Sequence, residues 1–278
     1  MIKMKQICQV CYNHCELEEG QAGRCRARRN KDGRIVPENY GKITSMALDP
    51  IEKKPLRRFY PGSQILSVGS YGCNLNCPYC QNYEISFSNG TDVHIVDVTP
   101  QELSRQALAL RKKGNIGVAF TYNEPLIGYE YVRDAASLVH EAGMKNVVVT
   151  NGAVSIETLW QVLPYTDAMN IDLKGFTREY YEMLGGSLGA VKEFIRTAAE
   201  NCHVELTTLI VPGENDSPRE MRELSEWVAS VDPEIALHVT RFFPRWKMKD
   251  RDATAIGQVY ELAEIAQRNL AYVYTGNC

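Results

Sequence analysis

The chain has 278 residues, of which 44% are hydrophobic and 23% charged, with a formal charge of −3 and a pI near 6.0. These values are typical of an ordinary globular protein and give no electrostatic reason to expect nucleic acid or a membrane as the main partner. No apolar run approaches the roughly 18 residues of a transmembrane helix. The N-terminus lacks the apolar segment of a signal peptide. Nine cysteines in such a chain predict a cytoplasmic protein whose thiols stay reduced and bind metal.

Residues 1–62 are rich in cysteine and poor in large apolar side chains, so we expect a small metal-binding head ahead of a domain over residues 63–278. The segment Asn30-Lys-Asp-Gly33 supplies the residue types of a hairpin turn. Because so little core is available, a bound metal would supply the missing stability. The candidate ligands are Cys8, Cys11, Cys15 and Cys25.

Three interpretations of the head cysteines are open. Thiolates spaced in this way suit one zinc ion, which needs only tetrahedral sulfur. A second iron–sulfur cluster is the rival interpretation, and a segment without metal is the third. The head also has a local excess of positive charge, typical of a solvated face but also of a docking patch for an acidic partner. Its basic residues include Arg24, Arg26, Arg28, Arg29 and Arg34.

From Gln64 onward, short apolar runs alternate with longer amphipathic runs, which predicts alternating strands and helices. Predicted strands cover residues 65–68, 116–120, 146–150, 169–173, 204–211, 235–240 and 271–274. Predicted helices cover residues 102–113, capped by Thr99, and then 126–142, 155–163, 189–199, 218–231 and 253–269. This order implies parallel pairing with right-handed crossovers. About seven strands fall one short of a closed barrel, so we predict an α/β fold with a partial parallel (β/α) barrel.

Polar groups follow the predicted strands, where a barrel of this kind places its chemistry. Thr121-Tyr-Asn-Glu-Pro125 follows the second strand and Thr150-Asn-Gly152 the third, while the fourth carries Asp172 and Lys174. The sixth strand holds His238. A simple ion pair on one strand face is the alternative for the Asp–Lys pair. A satisfied core histidine is the alternative for His238.

The most informative segment is the cysteine loop Ser70-Tyr-Gly-Cys-Asn-Leu-Asn-Cys-Pro-Tyr-Cys-Gln-Asn82, which follows the first predicted strand. Its thiolates at Cys73, Cys77 and Cys80 can hold three irons of a cubane cluster and leave the fourth iron without a protein ligand. An open metal position is typical of a catalytic site. A zinc site or buried free thiols are the alternatives. Zinc sites more often pair C-x2-C with a second such pair, and none follows Cys80.

This cysteine spacing resembles the signature of the radical S-adenosylmethionine (SAM) superfamily, and Tyr79 matches the aromatic residue usual before the last cysteine. The chain is similar to the activating enzymes of glycyl-radical enzymes, such as pyruvate formate-lyase activase. It resembles still more closely the branch called AmmeMemoRadiSam. The matching segments are residues 11–15, 23–25, 48–55, 59–62, 73–86, 121–125, 172–174, 238–248 and 272–278.

The resemblance implies a 4Fe–4S cluster on the three cysteines of the loop, with the amino acid end of SAM on the open iron. It implies that Glu124 helps to hold the cofactor's amino group and that Lys174 pairs with its carboxylate. Asn123 stands where the family commonly has glycine. Four further cofactor contacts are implied: Asp172 and His238 near the ribose or the sulfonium, Asn151 in the same pocket, and Tyr79 near the adenine.

The resemblance also implies the reaction. An electron from the reduced cluster would cleave a carbon–sulfur bond of SAM, giving methionine and a 5′-deoxyadenosyl radical that abstracts hydrogen from a substrate. The barrel would orient the cofactor and exclude water and oxygen. An external electron donor such as flavodoxin or ferredoxin is implied.

Three functional hypotheses follow. In the first, the substrate is a glycine of a partner glycyl-radical enzyme. In the second, the same radical chemistry modifies a small molecule or another peptide. In the third, the chain is a non-catalytic electron-transfer or metal-binding protein. Cleavage of the cofactor separates the third hypothesis from the other two.

Overall fold

The structure is a computed structural model that describes residues 5–278. The first strands are short and pair outside the main sheet; they are β1 (Gln6–Ile7), β2 (Glu16–Leu17), β3 (Arg28–Lys31), β4 (Arg34–Pro37) and β5 (Lys42–Ile43). β1 pairs with β2 and β3 with β4, both antiparallel. The turn between β3 and β4 uses positive φ angles at Asp32 and Gly33, in agreement with the predicted hairpin turn.

The rest of the chain alternates strands with helices. The strands are β6 (Ser45–Pro50), β7 (Gln64–Gly69), β8 (Val96–Asp97), β9 (Asn115–Phe120), β10 (Lys145–Thr150), β11 (Ala168–Asp172), β12 (His203–Ile210), β13 (Ala236–Arg241) and β14 (Val273–Gly276). The helices are α1 (Tyr83–Ser86), α2 (Pro100–Ala109), α3 (Tyr129–Glu141), α4 (Ile156–Val162), α5 (Arg178–Met183), α6 (Leu188–Ala199), α7 (Pro218–Val231) and α8 (Ile256–Ala266). No helix within residues 5–278 is long and apolar enough to cross a membrane.

One eight-stranded sheet carries the fold, in the order β14-β13-β12-β11-β10-β9-β7-β6. Its neighbours from β7 to β14 are parallel, and only β6 runs antiparallel, beside β7. β14 and β6 are its two edges, so the predicted partial parallel barrel is confirmed. β6 lies in the segment predicted as the head, and part of that segment therefore belongs to the main sheet. A domain boundary at residue 62 stays a prediction.

Strand β11 shows why the strands have one apolar and one polar face. Met169 and Ile171 pack into the large core shared with the helices. The alternate residues Asn170 and Asp172 point the other way, into the barrel interior, as the two-residue period of a strand requires. The amide nitrogen of Asn170 donates to the carbonyl oxygen of Pro55 at 2.9 Å. The barrel interior is therefore polar and reaches the segment that precedes β7.

That segment, residues 51–59, closes the amino-terminal end of the barrel and is called the floor segment here. Its apolar side chains Ile51, Leu56 and Phe59 form a small core with strand residues such as Ile65 and Ala168, which lie near the amino ends of their strands. The opposite end, where the strands terminate, stays free for the loops that carry chemistry.

A single carboxylate anchors the floor segment. Glu205 on β12 is fully buried and accepts the backbone N–H groups of Arg57 at 3.0 Å and Arg58 at 2.8 Å. Its two oxygens also lie 3.0 Å from Nε2 of His203 and 2.7 Å from Nε2 of His238. These partners outweigh burial and lower the pKa of Glu205 to about 2.

Candidate active site

The cysteine loop leaves the carboxyl end of β7 and is pressed against the head. Gly72, directly before Cys73, has a φ of 89°, which favours glycine. A Cβ atom there would lie 2.5 Å from the carbonyl oxygen of Cys25 and 2.9 Å from the Cβ of Ala27. The absence of a side chain at this position lets the head pack directly on the loop.

The thiols of the loop are partly buried and have polar neighbours. Sγ of Cys73 lies 3.4 Å from the backbone N–H of Leu75 and 3.6 Å from the side-chain amide of Asn151, and both groups donate to sulfur. Burial raises the pKa of Cys77 to about 11, although the ammonium of Lys174 opposes the shift. The Cys77 thiol is therefore neutral alone and becomes a thiolate when it binds iron, so metal binding releases a proton.

The three thiols of the loop are the donor set that a cubane with one open iron needs. Within residues 5–278, no three Cys, His, Asp or Glu side chains converge closely enough to hold one metal ion. Zinc needs such convergence because all four donors bind the same ion at about 2.0–2.3 Å. Three thiolates of a cubane bind three different irons, so their sulfur atoms need not meet at one point. The residues present therefore fit the cluster.

The head cysteines lie near one another without forming a single-ion site. A Cβ at Gly23 would lie 3.7 Å from Sγ of Cys15 and 3.8 Å from Sγ of Cys25. Cys8 donates its backbone N–H to the carbonyl oxygen of Cys15 at 3.0 Å. Burial raises the pKa of Cys11 to about 11. The structure gives no support to zinc here.

Glu124 lies at the carboxyl end of β9 and is 2% exposed. Its Oε1 accepts from Oγ1 of Thr150 at 2.8 Å and from the backbone N–H of Leu126 at 3.0 Å, and its Oε2 accepts from the N–H of Asn151 at 2.8 Å. Burial raises the pKa of Glu124 to about 7 in spite of these donors. It has no Lys, Arg or His ion-pair partner among residues 5–278. A buried carboxylate without a cation fits the ammonium group of a ligand.

Asn123, which replaces the usual glycine, ties the loop to Glu124. Its Oδ1 accepts the backbone N–H of Ser70 at 3.0 Å. Its Nδ2 donates to the carbonyl oxygens of Tyr71 at 3.2 Å, Gly72 at 3.0 Å and Glu124 at 3.2 Å. One amide thus holds the backbone that leads into the cysteine loop beside the carboxylate.

We expect Asn123→Asp to weaken SAM binding about tenfold, because the substitution removes donors to buried carbonyl groups and adds an acid beside Glu124. Iron content should be unchanged, and calorimetric titration measures the affinity. Asn146→Asp is the matched control, since Asn146 is a buried amide on β10 that donates to Ala136 away from the site. Equal affinities in wild type and Asn123→Asp would contradict a positioning role for Asn123.

Asp172 and Lys174 lie at the end of β11 and do form the alternative ion pair, with an N–O distance of 2.7 Å. The pair also faces the cysteine loop. Burial lowers the pKa of Lys174, but the charge of Asp172 and its hydrogen bond outweigh burial and raise the pKa above its usual value. The ammonium therefore lies between a carboxylate and the thiols, and the two interpretations of this pair are compatible.

A cavity of about 150 Å³ brings the predicted groups together at the barrel mouth. It is lined by Glu124, Asn151 and Asp172, together with Asn82, Thr121, Tyr122, Asn123, Val149 and Thr150. Sequence reasoning missed Tyr122, which has a φ of 73° and packs over Gly69, where a Cβ would lie 2.8 Å from the ring. It also missed Asn82, whose side chain donates to the carbonyl oxygen of Tyr122 at 2.7 Å. Both lie in segments that the sequence analysis singled out, but their individual places at the cavity depend on contacts across the barrel.

Three predicted residues do not border this cavity: Lys174, which pairs with Asp172 as described above, and also His238 and Tyr79. His238 is buried and bonded to Glu205, with its ring 5.4 Å from that of Tyr274. Tyr79 is buried beside the loop, where its hydroxyl accepts from that of Tyr180 at 3.0 Å. Their contacts with the cofactor stay predictions.

Comparison with known proteins decides the family. The sequence profile of the Radical SAM superfamily matches residues 67–225, which is more than half of the chain. The chain belongs to the radical SAM superfamily. As a radical SAM enzyme it uses a 4Fe–4S cluster and SAM for radical chemistry, and the non-catalytic hypothesis is not supported.

The radical SAM enzyme has relatives of two kinds. It is 37% identical to an uncharacterized protein of Methanocaldococcus jannaschii, over 98% of this chain and 81% of that protein. It is 23% identical to the indoleacetate decarboxylase activating enzyme of Tractidigestivibacter scatoligenes, over 68% of this chain but only 61% of that enzyme. The structure of Streptococcus suis SuiB bound to precursor peptide SuiA has a TM-score of 0.58 at 15% identity, over 75% of this chain and 47% of that one. This last similarity shows a shared fold.

Proposed function

We propose that the enzyme binds the cluster at Cys73, Cys77 and Cys80 and uses it to cleave SAM reductively. The chemistry that the bound groups would supply is one-electron cleavage of the carbon–sulfur bond of SAM, which would give methionine and a 5′-deoxyadenosyl radical able to take one hydrogen atom from a substrate. The observation that carries the proposal is the buried carboxylate of Glu124, which lacks a cationic partner within residues 5–278 and lines the cavity beside the cysteine loop.

The chain's own residues would bind and orient the cofactor. Glu124 would accept the ammonium of SAM, and its three existing donors fix the direction of its free lone pairs. Lys174 would pair with the carboxylate, and Asp172 would face the ribose from the same cavity. Tyr122 lines the same cavity and would help to exclude water from it.

The proposed substrate is a glycine in a partner protein, in the manner of an activating enzyme. The related activating enzyme of Tractidigestivibacter scatoligenes and the peptide-bound SuiB structure support a protein or peptide substrate. A small-molecule substrate for the same radical is the second candidate, and only a substrate assay separates the two.

Anaerobic reconstitution with iron and sulfide, followed by reduction with SAM present, tests the proposal. We expect 5′-deoxyadenosine and methionine in equal amounts. A co-expressed glycyl-radical candidate should then acquire a glycyl radical, which paramagnetic resonance detects. A reconstituted, fully reduced protein that produces no 5′-deoxyadenosine would disprove the proposed reaction. Cofactor cleavage without a glycyl radical would point to the second candidate.

Replacing Lys174 with alanine should weaken SAM binding by roughly ten- to a hundredfold, because a charge-assisted hydrogen bond of about 1.5–3 kcal/mol is lost. The cluster should remain. Iron content therefore reports on cluster assembly, and the dissociation constant of SAM reports on cofactor binding. Lys145→Ala is the control: Lys145 makes a comparable ion pair with Asp167 at 2.6 Å, at the opposite end of the barrel. An unchanged affinity in Lys174→Ala would assign the residue a structural role.

Metal analysis distinguishes the proposals for the head. Reconstituted protein should bind about four irons if only the loop holds a cluster, and about eight if the head cysteines hold a second one. Zinc in the head is a proposal that only the cysteine spacing supports. One equivalent of bound zinc per chain would establish it. Cys11→Ala should then lower the stability of the head and leave the loop cluster in place. Loss of the loop cluster in this variant would contradict two independent sites.

A further inference from the structure

A groove of about 680 Å³ lies between the head and the helices α5 and α6, and is called the basic groove here. Its lining residues are Tyr12, Arg24, Arg178, Glu182, Gly185, Gly186, Ser187, Leu188, Gly189 and Lys192. Three of these residues are cationic, and the one acid, Glu182, is already paired with Arg178 at 2.6 Å. Because the whole chain has a formal charge of −3, this positive surface is a local feature.

The inner wall of the basic groove rests on the cysteine loop. The backbone N–H of Asn76 donates to the carbonyl oxygen of Leu184 at 2.8 Å. A Cβ at Gly185 would lie 3.4 Å from the side-chain amide of Asn76, and one at Gly186 would lie 3.0 Å from the side chain of Leu75. Leu75 and Asn76 are two of the three residues between Cys73 and Cys77. Gly185 and Gly186 of the groove lining, with Leu75 and Asn76 behind them, therefore separate the groove from the proposed cluster.

Two other basic residues of the head are paired with acids away from the groove. Arg28 is buried and pairs with Glu130 at 2.7 Å, and Arg29 pairs with Glu38 at 2.8 Å. Arg24 is exposed at the groove, where its guanidinium donates to Asn13 at 3.0 Å. Arg24 therefore leaves a positive charge available on the side of the head that lies nearest the cysteine loop.

The proposed function requires one electron for each SAM cleaved. The cofactor would fill the cavity on the Glu124 and Asp172 side of the loop, so a reductant has to reach the cluster from another side. The groove wall at Gly185 and Gly186, which packs on Leu75 and Asn76, is such a side. Exposed Met183, next to the groove, adds apolar area of the kind found in protein interfaces.

We propose that the basic groove docks an acidic one-electron carrier protein. The reduced carrier gives up one electron and is oxidised, and the cluster takes up that electron across the wall of the loop. A closed site for a small anion is disfavoured, because Arg178 is paired and the ammonium of Lys192 lies over the rings of Phe176 and Trp227, 4.8 and 4.9 Å from their centroids. Charges spread in this way steer a protein of opposite charge. The inference rests on the proposed function.

The test compares two reductants on the reconstituted full chain. In the double variant Arg178→Glu/Lys192→Glu, we expect 5′-deoxyadenosine formation driven by subsaturating reduced flavodoxin to fall at least about tenfold, because charge reversal removes steering and docking. Formation driven by dithionite should equal that of wild type. With flavodoxin, the difference in rate between wild type and the double variant should narrow as the salt concentration increases. Adding Arg24→Glu should lower the flavodoxin-driven rate further and leave the dithionite-driven rate unchanged.

The control is the triple variant Arg105→Glu/Lys112→Glu/Lys113→Glu, which reverses exposed charges at α2 and the turn after it and should behave as wild type with both reductants. Unchanged flavodoxin kinetics in the double variant would overturn the docking proposal. Equal losses of 5′-deoxyadenosine formation with both reductants would also overturn it. Inhibition of the wild type by low-millimolar phosphate at constant ionic strength would overturn it too, because it would mark a small-anion site. A wild type that forms no 5′-deoxyadenosine even with dithionite would instead disprove the proposed function.

Discussion

Replacing Cys77 with alanine is expected to abolish both cluster assembly and cleavage of SAM. The residue is the middle cysteine of the loop, and its thiol lies near the Lys174 ammonium. Two remaining thiolates would hold only two irons of a cubane that already lacks a fourth protein ligand. Iron content should fall from about four per chain toward zero. Formation of 5′-deoxyadenosine should fall to background.

Cys202→Ala provides the matched control for this experiment. Cys202 is also a half-buried thiol, but it follows α6 and its Sγ lies 3.5 Å from the carbonyl oxygen of Ala198, away from the loop. The control should keep its iron and its rate of cofactor cleavage, with a modest loss of stability. If Cys77→Ala still cleaves SAM, the assignment of the loop as the cluster site is wrong.

Replacing Glu205 with alanine is expected to destabilise the barrel by about 3–5 kcal/mol, the usual effect of breaking a buried charged network. The substitution leaves two backbone N–H groups of the floor segment and the rings of His203 and His238 without their shared acceptor. Urea denaturation measures the loss. Glu223→Ala is the control, because Glu223 makes an exposed ion pair with Arg219 and should change stability by less than about 1 kcal/mol.

The contribution of this network to the free energy of unfolding depends on pH in a definite direction. The pKa of Glu205 is about 2 in the folded state, against an ordinary value of 4.5. A lowered acid pKa contributes stability that is complete above the unfolded value and is lost as pH falls toward the folded value. The difference in unfolding free energy between wild type and Glu205→Gln should therefore shrink from pH 5 to pH 3. A constant difference over this interval would show that the charge of Glu205 does not stabilise the fold.

Much of the fold follows from local patterns. Every predicted strand and helix of the body has a counterpart, because hydrophobic periodicity and capping residues act within a few positions of the chain. Thr99, for example, forms the capping box with Glu102 that begins α2. Helix α5 was missed, since its six residues are too few for a clear period. The start of the predicted helix 126–142 is instead a short 3₁₀ helix at Pro125–Gly128, ahead of α3.

The sequence by itself determined the cysteine loop, the alternation of strands and helices, and the carboxylate at Glu124. Each of these is written in consecutive residues or in a fixed short period. Only the tertiary structure decided that Asn123 holds the loop beside Glu124, and that Glu205 binds His238 and the floor segment. It also placed the basic groove against Asn76. These contacts join segments distant along the chain, and their existence depends on which way each side chain leaves its strand or loop, a choice that packing across the whole barrel makes.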